Sequence, residues 1–196
     1  MKIKICGLSR ECDIDYVNEA LPDYAGFVFA ESRRKVSAEQ AFILKRKLSP
    51  SIKAVGVFVN DDISFIHDLL KRGIIEIVQL HGNEDEEYIS AVGAPVIKAV
   101  RLSKEGESFD YPADYLLFDS PVAGSGRTFD WSLIPRTEKP FFLAGGINIG
   151  NIAEAIKINP YAIDLSSGVE TGGVKDRGKI LEIVKSALGT RAPRPH

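Results

Sequence analysis

Short runs of consecutive apolar residues, separated by stretches of helical pattern, recur almost from end to end of the chain. They are Lys2–Gly7, Tyr24–Ala30, Lys53–Val59, Ile74–Leu80, Val96–Leu102, Tyr115–Phe118, Pro140–Ala144 and Ala162–Leu165. Strands exposed on one face alternate apolar and polar residues, whereas Val55-Gly56-Val57-Phe58-Val59 and Tyr115-Leu116-Leu117-Phe118 do not. Unbroken apolar strands suit a parallel sheet covered on both faces by crossover helices. Eight such units in 196 residues predict a single-domain (β/α)8 TIM barrel over 1–188, at the small end of the size range for that fold. A doubly wound open sheet satisfies the same periodicity. The tail, 189–196, carries two prolines and two arginines and is read as frayed.

The helical stretches carry their own signals. Glu11–Leu21 follows the first run. Ser37–Leu48 opens on S-A-E-Q, a capping box in which the Ser37 hydroxyl and the Gln40 side chain serve orphan amides. In Asp61–Arg72, Ile63, Ile66, Leu69 and Leu70 share one face, and Gly73 is placed to end the helix. Asn83–Glu87 is an acidic helix start, and Asn151–Ile158 and Lys179–Leu188 read as the last two helices. Two units are thin. Ser103–Ala113 has little periodicity, so the helix after strand five is expected to be short or missing, and Asp130–Ile134 is stopped by Pro135.

Charge removes several function classes. With 25 Lys and Arg against 27 Asp and Glu, the net charge is −2, with no basic excess to neutralise a nucleic-acid backbone. No apolar run approaches the ~18 residues of a membrane span. Lys2 and Lys4 precede an apolar stretch that ends at Gly7, too soon for a signal peptide. Cys6 and Cys12 make no disulfide framework and fit a reducing cytoplasm. A small-molecule partner is expected, without nucleic acid or membrane, in a monomer or a homodimer.

In a parallel barrel, chemistry gathers where strands run into βα-loops, and reactive residue types stand there. They are Cys6, Asn60, Gln79, His81, Arg101 and Asp119, with Ser32-Arg33-Arg34-Lys35 in the second loop. Gly145-Gly146 and Ser166-Ser167-Gly168 close the last two runs, where such barrels hold a phosphate. Glycines allow close backbone approach, and helix-start amides point at the anion. Either segment alone is also an ordinary tight turn; together they favour a phosphorylated substrate. Cys6 is either a small core residue or a thiol base, the latter needing a pKa lowered by cations such as the Arg33-Arg34-Lys35 cluster. Asp119 is either a loop carboxylate or a general acid whose pKa burial raises. The loop beyond it, Val122–Phe129, is either a substrate cover or a plain Gly-Ser loop, and Arg127 is equally readable as a solvated surface charge. His67, His81 and His196 lack metal-ligand spacing, so no metal is expected, and no dinucleotide-binding or nucleophile-elbow motif is present.

These residues assemble into a known set. K-I-C-G-L at 4–8, G-F-V-F at 26–29, S-R-R-K-V-S at 32–37 and V-G-V-F-V-N at 55–60 occur in order. V-Q-L-H-G at 78–82, L-L-F-D at 116–119 and G-S-G-R-T-F-D-W at 124–131 follow, then A-G-G-I-N at 144–148 and D-L-S-S-G-V-E at 164–170. Over nearly its whole length the chain resembles the phosphoribosylanthranilate isomerases of tryptophan biosynthesis. The resemblance implies a (β/α)8 barrel that needs neither metal nor organic cofactor. It also implies the Amadori rearrangement of N-(5-phosphoribosyl)anthranilate to 1-(2-carboxyphenylamino)-1-deoxyribulose 5-phosphate. By the same resemblance Asp119 is the general acid and Cys6 the general base. Arg34 holds the anthranilate carboxylate, and Gly145, Gly146, Ser166, Ser167 and Gly168 hold the phosphate. Gln79 and His81 match motif positions at the substrate site. The second loop lacks the proline and aromatic common around the family's arginine, so Arg33 stays as the alternative to Arg34. The rival readings are another sugar-phosphate isomerase and a catalytically silent phosphosugar-binding barrel.

Overall fold

The computed structural model describes residues 1–100, 111–120 and 128–189. Eight parallel strands close into a barrel: β1 (Lys2–Cys6), β2 (Tyr24–Val28), β3 (Lys53–Phe58), β4 (Ile77–Leu80), β5 (Val96–Val100), β6 (Tyr115–Phe118), β7 (Phe141–Leu143) and β8 (Ala162–Leu165). Each strand pairs with the next, and β8 returns to β1 with Lys2 opposite Ala162 and Lys4 opposite Asp164. That last pairing decides for the barrel against the open sheet. The apolar runs are unbroken because both faces are buried. On β1, Ile3 and Ile5 join the cluster under the helices, whereas Tyr24, Val55, Ile77, Ile97, Leu117, Phe142 and Ala162 fill the barrel interior.

The helices are α1 (Glu11–Ala20), α2 (Ala38–Lys47), α3 (Ile63–Lys71), α4 (Glu86–Ala91), α5 (Ile152–Lys157) and α6 (Arg177–Leu188). Ser37 caps α2 by accepting from the Gln40 amide, but the Gln40 side chain does not complete the expected box. It donates instead to the Ser9 carbonyl at 2.6 Å, tying α2 to the loop after β1. Gly73, at φ +66°, ends α3 as expected. The Gly73 amide reaches the Leu70 carbonyl, and the Ile74 amide reaches that of Leu69. This closing turn buries Ile74 and Ile75 and delays β4 to Ile77.

No helix lies among the described residues between β5 and β6. Residues 101–110, which carry Arg101 and most of the thin fifth unit, lie outside the described set. Among the described residues the sixth unit holds a single 3-10 turn, Trp131–Leu133, ended before Pro135. After β8 the chain adds an unexpected 3-10 turn, Ser167–Val169, and a small hairpin of β9 (Glu170–Thr171) with β10 (Val174–Lys175). Only then does α6 begin, two residues ahead of the expected Lys179, capped by Asp176. Among the described residues no helix is long and apolar enough to cross a membrane. The tail from residue 190 is outside the described set.

Candidate active site

A cavity of about 300 Å³ opens at the carboxyl ends of the strands. Cys6, Arg34, Gln79, His81, Asp119, Gly145, Gly146, Ser166, Ser167 and Gly168 all line it, so the fold brings the whole expected site together. Arg127 and the glycines of the Val122–Phe129 loop lie outside the described residues.

The floor of this cavity is polar, and two of its three residues, Lys4 and Asp164, are not among those expected from the sequence. Lys4 is fully buried, and its ammonium donates to Asp164 Oδ2 and to Gln79 Oε1, each at 2.8 Å. Asp164 Oδ1 is buried with no hydrogen-bond partner among the described residues. Strand alternation carries the signal that finds this floor: Lys4 shares a face with Cys6, Gln79 with His81, and Asp164 with Ser166. A lysine inside an apolar strand, two residues before a candidate base, is an inward cation rather than part of a targeting segment.

Asp119 sits at the end of β6. Burial raises its carboxyl from an ordinary 3.8 to about 6, against the opposing pull of the Ser120 amide, which donates to Oδ1 at 2.7 Å. Asp164 adds to the rise and Lys4 opposes it. His81, at the end of β4, is pushed below the usual imidazole range by burial first and by the Lys4 charge second. Its Nε2 faces Asp119 Oδ2 at 3.6 Å, and its Nδ1 accepts from Gln79 Nε2 at 3.2 Å.

Cys6 departs from the sequence expectation. Burial pushes its thiol up rather than down, and the opposing cations are Lys4 and Lys175, not the second-loop cluster. The Arg33-Arg34 pair is engaged elsewhere. Arg34 Nε and Nη2 fork onto the Glu170 carboxylate at 2.7 and 2.9 Å, and Arg33 Nη2 joins at 2.7 Å. Lys175 adds a fourth donor at 2.7 Å and also reaches the Ser166 carbonyl. Arg34 and Lys175 together hold Glu170 below the usual carboxylate range although burial opposes them. Glu170 stands at the end of the D-L-S-S-G-V-E run, and the hairpin that brings Lys175 to it leaves no periodic signal. Of the two arginines, Arg34 is the one in the cavity wall; its side chain is 14% exposed and that of Arg33 56%. The Arg34 stem lies across Gly7, where a Cβ would stand 2.3 Å from its Cδ.

The two glycine loops form a common backbone surface. Gly145 and Gly146 are both left-handed, at φ +87° and +61°. The Gly146 carbonyl is held by the side-chain amides of Asn148 and Asn151. A Cβ on Gly168 would stand 1.9 Å from the Ile147 carbonyl oxygen, so the loops after β7 and β8 touch backbone to backbone. The Gly145 and Gly146 amides are loop amides rather than helix-start amides, since α5 begins only at Ile152, whereas Ser167 and Gly168 open the short 3-10 turn after β8.

Comparison with known proteins follows the same line. A family model described as "N-(5'phosphoribosyl)anthranilate (PRA) isomerase" matches residues 3–186. The N-(5'-phosphoribosyl)anthranilate isomerase of Endomicrobium trichonymphae is 52% identical over 193 residues, covering 94% of this chain and 96% of its own. Phosphoribosyl anthranilate isomerase from Thermus thermophilus has a crystal structure with a TM-score of 0.88 at 34% identity, covering 97% of this chain and 100% of its own. A second crystal structure, at TM-score 0.81 and 34% identity, covers 96% and 99% and contains reduced 1-(o-carboxyphenylamino)-1-deoxyribulose 5-phosphate. A third concerns monomers of the dimeric enzyme of Thermotoga maritima, at TM-score 0.82 and 35% identity over 96% and 99%.

Two outcomes follow from this geometry. Gly168→Ala forces the loops after β7 and β8 apart, and phosphate-ligand affinity measured by calorimetry is expected to fall at least tenfold while the circular dichroism spectrum is unchanged. Asp119 has a folded pKa near 6, above its unfolded 3.8. Folding therefore takes up a proton between those values, and the ionised carboxylate opposes folding above pH 6. Asp119→Asn is expected to be more stable than the parent by about 3 kcal/mol at pH 7–8, with the gain falling below about 1 kcal/mol near pH 4, as read by denaturant unfolding.

Proposed function

The chain belongs to the N-(5'-phosphoribosyl)anthranilate isomerase family, and we propose that it works with Asp119 as general acid and Cys6 as general base. It converts N-(5-phosphoribosyl)anthranilate to 1-(2-carboxyphenylamino)-1-deoxyribulose 5-phosphate, a step of tryptophan biosynthesis. The observation that carries the residue assignment is the meeting, in one cavity, of a carboxyl raised to about 6 with Cys6 and two backbone-paired glycine loops.

Opening the furanose ring expels an alkoxide, a poor leaving group unless protonated. Asp119 delivers its proton to the ring oxygen as the C1′–O bond breaks, and the anthranilate nitrogen supplies the electron pair that forms the iminium. The iminium withdraws electrons from C2′ and acidifies its hydrogen. The Cys6 thiolate takes that proton, the C2′–H pair becomes the C1′=C2′ double bond, and the iminium is neutralised to an enolamine. Moving the enol proton from the C2′ oxygen to C1′ gives the ketone. No atom is gained or lost.

Gly145, Gly146, Ser166, Ser167 and Gly168 hold the phosphate through backbone amides, and Arg34 takes the anthranilate carboxylate. Glu170 occupies only two of the five guanidinium N–H donors of Arg34, so three stay available for a second carboxylate. Gln79 and His81 complete the wall beside Asp119. We take residues 1–188 as one barrel domain. The free thiols Cys6 and Cys12 fit a cytoplasmic setting, and the dimeric relative makes a homodimer the assembly to examine.

With freshly prepared phosphoribosylanthranilate, followed by its fluorescence with excess indole-glycerol-phosphate synthase to draw off product, the unmodified protein turns over. Cys6→Ser and Asp119→Asn each lose at least 10³-fold in kcat while staying folded. Binding without turnover by the folded parent protein would favour the silent phosphosugar-binding reading instead.

The two pKa directions also fix a pH dependence. Between Asp119 near 6 and a Cys6 thiol above its ordinary range, each pH unit gained loses tenfold of protonated acid and gains tenfold of thiolate. These cancel, so kcat/KM is expected to be flat from pH 7 to 8.5. A unit slope in either direction there contradicts the pairing.

A further inference from the structure

The hydrogen bonds beneath the site run in one direction. The Lys4 ammonium carries donors only, so whichever atom of Gln79 faces it must be the amide oxygen. The structure has that arrangement, Nζ to Oε1 at 2.8 Å. Gln79 is buried, so its amide has no freedom to turn once the oxygen is taken. Its NH2 therefore points to His81 Nδ1, at 3.2 Å. A donor aimed at Nδ1 requires that nitrogen to be the acceptor. Burial and the Lys4 charge outweigh the Asp164 and Glu84 carboxylates in disfavouring imidazolium, and a neutral ring with Nδ1 as acceptor carries its single proton on Nε2, the atom that faces Asp119 Oδ2 at 3.6 Å.

The tautomer matters because of what Asp119 has to do. At 3.6 Å the pair is longer than a hydrogen bond, and a small movement would close it. If Nε2 carried a lone pair, protonated Asp119 would donate to it, and the proton needed at the ring oxygen would be held by the imidazole. With Nε2–H facing it, Asp119 can only accept from His81, so its own proton stays free for the substrate. The same N–H then stabilises the carboxylate left after transfer, without placing a second positive charge in the site.

We propose that Lys4 and Gln79 are positioning residues that fix His81 in its Nε2–H tautomer and thereby keep the Asp119 proton aimed at the substrate. The inference rests on the assignment of Asp119 as the acid.

The test uses 15N-labelled full-length protein at pH 7.5, with the His81 imidazole signals assigned through His67→Gln and His196→Gln variants. The parent protein is expected to show His81 as a single neutral Nε2–H form. An Nδ1–H form, a tautomer mixture or an imidazolium in the parent overturns the proposal without any variant needing to fold. Gln79→Glu places a second carboxylate oxygen opposite Nδ1 and is expected to move the proton there, with kcat at least 30-fold lower and KM within twofold. Gln79→Leu leaves the Lys4–Asp164 pair in place and is expected to give a mixed tautomer and a smaller loss of kcat. Lys4→Met also removes the cation that opposes the rise of Cys6, so it is read by its imidazole signals alone, which are expected to show the same tautomer mixture as Gln79→Leu. A variant that shifts the tautomer with kcat unchanged, or lowers kcat with the tautomer unchanged, overturns the proposal. Failure of the underlying acid assignment is separate: it shows as turnover retained in Asp119→Asn, whatever the imidazole signals report.

Discussion

The ion pair between Lys4 and Asp164 sets the level at which a packed barrel becomes a reaction vessel. Below it the interior is closed by Val55, Ile77, Ile97, Leu117, Phe142 and Ala162. The amino-terminal end is plugged by Tyr24 and Tyr161, whose hydroxyls meet at 3.0 Å, with the Lys2 ammonium over the Tyr161 ring. Above this level, two residues further along from Lys4, Gln79 and Asp164, come Cys6, His81 and Ser166, with Asp119 above Leu117. Each reactive side chain therefore stands on an interior one that is fixed. A buried pair of this kind contributes little net stability against an apolar replacement, but losing one partner costs about 3–5 kcal/mol, because the other charge is left unpaired. What it supplies is direction: an ammonium that can only donate orders the amide beside it, which orders the imidazole beside that.

Glu170 plays a comparable part on the opposite wall. It gathers Arg33 and Arg34 from the loop after β2 and Lys175 from the hairpin after β8, and Lys175 also holds the Ser166 carbonyl. The region assigned to the phosphate and the arginine assigned to the anthranilate carboxylate thus share one carboxylate. That carboxylate compensates the charge of the second-loop arginines. It also orients Arg34 before any substrate arrives, so the guanidinium is ordered in advance of binding.

Much of this was legible in the chain. Unbroken apolar runs follow directly from strands buried on both faces, which is why β6 and β8 match their sequence bounds while strands bordered by turns are shorter. Gly73 ended α3 because a left-handed residue there closes both terminal carbonyls, and the residues at the strand ends converge because a parallel barrel puts all such ends on one rim. Long-range partner choice was not legible. Gln40 bonds Ser9 rather than its own helix start, Arg34 bonds Glu170, and Lys4 finds Asp164 160 residues away. Each depends on which polar groups the fold brings within 3 Å, and local pattern holds no record of that. Period-two alternation would have placed Lys4 and Gln79 inside the barrel, but not named what they touch.

Burial makes the site and also limits it. The same exclusion of water that lifts Asp119 to about 6, as the proposed acid needs, lifts the Cys6 thiol, the proposed base, away from ionisation. A bare cation beneath both would help the base and spoil the acid in equal measure. Lys4 is not bare: Asp164 raises both groups where Lys4 lowers both, so the floor offsets much of its own charge while keeping fixed donors. Lys175, on the Glu170 side, lowers the Cys6 thiol. That wall cation favours the thiolate of the proposed base beside a floor whose charges largely offset, while burial keeps the carboxyl of the proposed acid raised.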